Sequence, residues 1–281
     1  MKRGAPALPG DMGKAHENRG FRREEGRENL LDGKMSKRGL SQERLKRIAC
    51  ICMLLDHIGA IILANCIRQA TGAGKDLLQD IYEMLRMIGR PAFPIFCFLL
   101  VEGHVHTRSP KCYALRLLMV AALSEFPYDL ALYGGINWQH QSVMVTLLLG
   151  LAMLETMKKC AKLPLRLLSI VPFAVLASLL QADYSADGIL TIALFALTRG
   201  LPHAAVLQFF GLWFIFSPHH LMMLNWVGGF SVTVQELAVL AVVPIALYDG
   251  RKATKSKAVQ WSFYLFYPVH LFLLFLIRCS I

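Results

Sequence analysis

From Ile48 to about Ile277 the chain alternates long apolar runs with short charged clusters, and few soluble folds tolerate that pattern. A spanning helix needs about 20 largely apolar residues, fewer where the bilayer thins locally. Nine runs qualify, over 46–66, 82–103, 113–133, 143–158, 163–181, 187–199, 202–217, 234–249 and 259–278. The expected fold is therefore all-α, a polytopic membrane protein of about nine transmembrane helices. The sixth and seventh runs are separated only by Arg199, Gly200, Leu201 and Pro202, so one broken helix is the alternative there.

The charges divide the chain in two. Of 30 Lys and Arg residues, 13 fall in the first 47 positions, beside 7 of the 19 acids. Residues 1–44 read as a basic, mostly disordered cytoplasmic tail without the apolar core of a secretory signal, and 45–281 as the membrane domain. Ser41 followed by Arg44 and an apolar run places the first helix start near Ser41. With the N-terminus inside, the inner loops hold Arg108 and Lys111, then Lys158, Lys159 and Lys162, then Arg199, then Arg251, Lys252, Lys255 and Lys257. The outer stretches 134–142, 182–187 and 218–233 hold no Lys or Arg. That asymmetry obeys the positive-inside rule. Arg68, Lys75, Arg86 and Arg90 break it, partly offset by Asp76, Asp80 and Glu83.

The net charge of +11 is accounted for by this topology and by anionic lipid, so no nucleic-acid partner is expected. The seven cysteines form no paired CxxC elements, so neither zinc nor a disulfide framework is indicated, and they read as small apolar residues. His104-x-His106 lacks further ligands, and no metal is expected.

A charge kept in hydrocarbon costs about 2.5–3.5 kcal/mol on insertion scales, so each one needs a reason. At about 1.5 Å per residue, His57 lies roughly 15 Å up the first span, with Asp56 just below it. By the same rise Arg90 lies roughly 20 Å up the second span, Glu125 roughly 18 Å up the third, and His270 roughly 16 Å up the ninth. Four helices thus bring ionisable groups to one level, as a buried polar site requires. The bland reading is interhelical hydrogen bonding for packing, which averages only about 0.6 kcal/mol and is met more cheaply by neutral side chains. Neighbours on a helix point about 100° apart, so Asp56 is poorly placed to orient the imidazole of His57. Glu125 or His270, reaching across the bundle, is better placed. Pro91 and Pro94 remove two backbone donors and predict a kink at Arg90.

Arg108, Lys111 and Arg116, at the inner ends of spans two and three, can hold the phosphates of a nucleotide-like cofactor such as coenzyme A, or simply serve topology. The outer loop from Gln181 to Gly188 places Asp183 and Tyr184 at the cavity mouth, where they can bind a cationic acceptor. Alternatively it is a turn in which Asp187 caps the next helix. His219, His220, Gly228 and Gly229 read as solvated loop residues.

The stretch RLKRIACICMLLDHIGAI resembles the first helix of the TraX family. So do LRMIGRPAFPIFCFLLVEGHVHTR, YALRLLMVAALSEFPYDLA, ADYSADGIL and FYLFYPVHLFLLFLI, in this order over about 45–278. The resemblance implies a membrane-embedded acyltransferase of the cell membrane that uses acyl-CoA. That group carries a His in an early span, which corresponds to His57. The family is named for a protein that acetylates the N-terminus of conjugative pilin. An acetyl group would pass from acetyl-CoA to an amine or hydroxyl acceptor at the outer side, a pilin-like peptide or a glycan. On that reading His57 is the general base, Arg90 stabilises the oxyanion or pairs with Glu125, and Glu125 and His270 position the imidazole. The competing class is a proton-coupled transporter or channel using the same His/Arg/Glu cluster. No second copy of LLDHIG or GRPAFP appears in the later half, as internal repeats would require.

Overall fold

The computed structural model describes residues 39–217, 234–251 and 256–281. The tail expected over 1–44 falls mostly outside them, as do His219, His220, Gly228 and Gly229. Contacts divide the chain into Met1–Leu40 and Ser41–Ile281, and the fold described below is that of the second unit.

Among the described residues that unit is helical. Helix α1 runs Gln42–Gln69, and Ser41 caps it by accepting from the Arg44 backbone N–H at 3.4 Å. Its six residues Ile58–Leu63 widen into a π-helical turn immediately after His57. Such turns occur mostly as local insertions at functional sites. Helix α2 is Ala73–Gly89 and α3 is Ala92–His106, joined through a tight turn at Arg90 and Pro91. The expected kink is there, and Pro94 falls in the first turn of α3, where a backbone donor has no intrahelical partner anyway. Residues 73–81, left outside the spans above, are helical too. In α2 Lys75, Asp76, Asp80 and Glu83 interleave with apolar residues, and only Gly89 is buried.

The chain continues through α4 (Pro110–Tyr133), α5 (Val143–Lys159), α6 (Leu163–Leu179), α7 (Ser185–Thr198) and α8 (Ala204–Phe216). Helix α9 (Val234–Ala246) begins as a 3-10 helix, and α10 spans Lys257–Ser280. Runs six and seven are two helices, α7 and α8. Gly200 and His203 both take positive φ, 75° and 67°, to turn the chain between them. That conformation suits glycine and costs His203 some strain.

Among the described residues, three helical segments are long and apolar enough to cross a membrane: Gln42–Gln69, Ala73–His106 and Ala258–Ser280. The outside of the unit is itself apolar. Leu179, Phe214 and Val243 are 75%, 69% and 61% exposed. In water such a surface would aggregate, whereas against lipid it is the expected exterior.

Helix α10 packs mainly on α4, α1 packs on α2 and α3, and α7 lies among α3, α5, α6 and α8. One buried cluster ties α1, α3, α4 and α10 together through Met53, Ala92, Tyr128, Tyr267 and Leu271. Tyr267 is 1% exposed. This cluster floors the region where the ionisable residues meet.

Candidate functional site

The first group centres on His57. Its Nδ1 lies 2.7 Å from His270 Nε2, and His270 Nδ1 lies 2.6 Å from the Phe266 carbonyl oxygen. A carbonyl oxygen only accepts, so His270 Nδ1 carries a proton. Burial of an unpaired charge is expensive, so both rings are read as neutral. His270 Nε2 then accepts, and His57 Nδ1 donates to it. The consequence is chemical: the proton of His57 is committed to Nδ1, and its Nε2 keeps a lone pair. Second partners fix histidine tautomers in this way wherever imidazoles act as bases or ligands. The Phe266 ring stacks on His270 at 4.6 Å between centroids and holds its plane.

The second group centres on Asp56. Arg86 Nη1 donates to Asp56 Oδ2 at 2.6 Å, and Arg90 Nη2 donates to Asp56 Oδ1 in a very short contact. Arg90 also donates to Gln235 Oε1 at 2.7 Å and to the Arg86 carbonyl at 3.2 Å. Asp56 therefore bridges α1 to the α2–α3 turn and leaves the orientation of His57 to His270. Glycine makes that approach possible: a Cβ on Gly89 would overlap the Asp56 side chain. Arg86 and Arg90, which break the positive-inside pattern, are there as partners of this carboxylate.

Glu125 does not pair with Arg90 or His57. Its carboxylate accepts from the Ser142 backbone N–H at 3.1 Å and from the Ser142 hydroxyl at 2.6 Å. Ser142 is the N-cap of α5, so Glu125 sits at the positive end of that helix.

Asp183 and Tyr184 fold inward from the loop between α6 and α7. With Asp56, His57 and Tyr267 they line a chamber of about 70 Å³. Tyr184 stacks on Phe93 at 3.7 Å between centroids, and the Asp183 carbonyl accepts a short hydrogen bond from Thr146. Close packing requires Gly188, since a Cβ there would meet Phe93 at 3.1 Å and Tyr184 at 3.2 Å. The N-cap of α7 is Tyr184, with no side-chain capping bond, and Asp187 lies inside the first turn instead of capping it. Burial raises the Asp183 carboxyl to about 6, against the opposing pull of Arg90.

Behind the chamber lies a larger cavity of about 430 Å³, lined by Lys46, His106, Tyr113, Arg116, Gln260 and Tyr264 among others. Lys46 Nζ sits 5.5 Å from the Phe263 ring centroid, and Arg116 lies over Tyr113 at 6.0 Å. Arg116 Nε is buried and has no hydrogen-bond partner within the protein. A buried donor left so is costly unless something else satisfies it. Arg108, on the α3–α4 connection, and Lys111, in the first turn of α4, are exposed and do not line the cavity. Lys46 was missed by sequence reasoning, because a lysine at the foot of a span reads first as a topology signal. Its place one helical stretch below His57 was the available clue. Glu102 and His104 are otherwise engaged, with Arg199 and Glu155 at 2.7 and 2.6 Å, and His106 Nδ1 lies 2.8 Å from the Glu102 carbonyl oxygen.

Chamber and cavity are neighbours. Phe96, Met144, Leu147 and Phe263 line both. The arrangement therefore places a base on one side and cations on the other, with apolar side chains between them.

The chain is 27% identical over 246 residues to a probable fimbrial assembly protein FimC, serogroup H1, of Dichelobacter nodosus, covering 82% of this chain and 93% of that protein. No solved structure matches. The TraX protein family matches residues 41–278, so it takes in α1 to α10 with every side chain named above, and the chain belongs to that family.

Proposed function

We propose that this protein is a membrane-embedded acetyltransferase that moves an acetyl group from acetyl-CoA to an amine or hydroxyl presented from the outer side. The topology that goes with this reading is multi-pass, with nine spans and a cytoplasmic N-terminus. The donor enters the larger cavity from the cytoplasm, with its phosphates toward Lys46 and Arg116. The unpartnered Nε of Arg116 supports that assignment, because a phosphate oxygen is the acceptor it lacks. Arg108 and Lys111, exposed at the start of α4, can add only loose electrostatic attraction.

The thioester carbonyl then lies beside His57. As the acceptor N–H or O–H attacks the carbonyl carbon, His57 Nε2 takes its proton and the charge is shared with His270 through Nδ1. The C–S bond breaks as the new C–N or C–O bond forms. The departing thiolate receives the proton back from His57, releasing CoA as thiol. Arg90 and Tyr184 supply positive potential and a phenol near the developing oxyanion. Asp183, ionised above about pH 6, attracts a cationic acceptor to the chamber.

The relationship to a fimbrial assembly protein and the family assignment point to a pilus-related role, and a pilin-type subunit is the acceptor we favour over a glycan. One observation carries the reading: the hydrogen-bond relay from Phe266 through His270 leaves His57 Nε2 as a free base at a chamber that shares four lining side chains with a cation-lined cavity. The test is transfer of labelled acetyl from acetyl-CoA by the purified protein in lipid, with His57→Ala alongside. Acceptor labelling that depends on His57 is the expected result. Proton flux across proteoliposomes without acetyl-CoA, and no labelling, would support transport instead.

A further inference from the structure

We infer that Tyr267 is a catalytic residue whose phenol donates a hydrogen bond to the thioester oxygen as charge develops there; this rests on the acyl-transfer reading. Tyr267 and His270 are three residues apart on α10 and so share a face of that helix. His270 meets His57 through Nε2. Tyr267 lines the same chamber as His57, with its ring centroid 6.2 Å from that of the imidazole. Base and phenol therefore border one small space, where a single carbonyl group can face both.

A helix end holds the hydroxyl. The first backbone N–H groups of a helix have no acceptor within it. At the start of α5 the Ser142 N–H goes to Glu125 at 3.1 Å, and the Val143 N–H reaches the Tyr267 oxygen. Val143 lines the chamber as well. A phenol has one proton to donate and lone pairs with which to accept. Here the oxygen accepts, and no hydrogen bond carries the proton to another of the described residues. The positive end of α5 draws density from that oxygen and strengthens the proton as a donor. Tyr267 is 1% exposed, so water competes little for it. A fixed donor in such a site is worth far more than one in water. Arg90 is not among the side chains that line the chamber and pairs with Asp56, whereas Tyr267 stands on the wall. Tyr267 makes and breaks no covalent bond. Its proton stays on the phenol while the C–S bond breaks and the charge moves to sulfur.

The experiment measures kcat and KM for acetyl transfer by the full-length protein in lipid, by Tyr267→Phe, and by Tyr128→Phe as control. Tyr128 belongs to the same buried cluster but does not line the chamber. Losing one oxyanion donor costs about 100- to 1000-fold in kcat. Tyr267→Phe should show that loss with KM near the parent's, as befits a contact made only in the transition state. Tyr128→Phe should keep the parent's kcat. Replacing Tyr267 by fluorotyrosine keeps the ring and the hydroxyl but makes a stronger donor, and should raise kcat; a merely structural tyrosine would not respond. A parent-like kcat in Tyr267→Phe, equal losses at both tyrosines, or a kcat indifferent to fluorination overturns the assignment. No acetyl transfer by the parent overturns the underlying acyl-transfer reading and the assignment with it.

Discussion

Replacing Asp56 by Asn removes the one carboxylate that Arg86 and Arg90 share and tests how the α1–α2–α3 junction is held. Breaking a buried pair by deleting one partner costs about 3–5 kcal/mol, because the remaining charge is left uncompensated. Here the side chains of Arg90 and Asp56 keep 9% and 14% of their exposure, but that of Arg86 keeps 24% and is partly solvated. Arg90 also retains Gln235 and the Arg86 carbonyl. The low end of the range follows, about 3 kcal/mol, or about two orders of magnitude in the unfolding constant. Arg86→Met should cost far less, about 1 kcal/mol, because Arg90 still neutralises Asp56. Unfolding in mixed micelles, with the cycle Asp56→Asn, Arg90→Met and the double variant, measures both terms. The double variant should be less unstable than the sum of the singles by about 1–3 kcal/mol, since it leaves no orphaned Arg90 charge. Strict additivity, or an Asp56→Asn variant as stable as the parent, would refute the reasoning.

Two further outcomes follow from the same geometry. Gly89→Ala places a methyl into Asp56 and should destabilise the protein by about 1–3 kcal/mol, read by the same unfolding assay, whereas Ala at the open position Gly74 should not. The Asp183 carboxyl is raised, so it is ionised above about pH 6 and neutral below. The KM for a cationic acceptor should rise as pH falls through about 6, and Asp183→Asn should flatten that profile and raise KM across it.

The helices were legible because hydrocarbon leaves the chain little choice. Apolar runs of spanning length had to become helices, and the Pro91–Pro94 pair had to bend one. The helical reach of 73–81 was not legible, since Lys75, Asp76 and Asp80 masked an amphipathic pattern outside the apolar run. In the site, counting residues gave depth and not direction. Asp56 meets Arg90, and His57 meets His270. Glu125 is turned instead to the N-terminus of α5 and Ser142. Asp56, a candidate site residue poorly placed to orient its neighbour, pairs instead with two arginines across the helix interface. Basic residues at the inner ends of spans were ambiguous by nature, because topology and phosphate binding call for the same charge. Only packing distinguishes Arg116 and Lys46, which line a cavity, from Arg108 and Lys111, which do not.

The most direct measurement is the tautomer of His57 itself, read from the ring ¹⁵N shifts of selectively labelled protein in lipid near neutral pH, with His57→Gln to assign the signal. A neutral ring protonated at Nδ1, which is coupled to His270, with Nε2 unprotonated, is the predicted result. A ring protonated at Nε2, or a charged imidazolium, would contradict it and leave the chamber without its base.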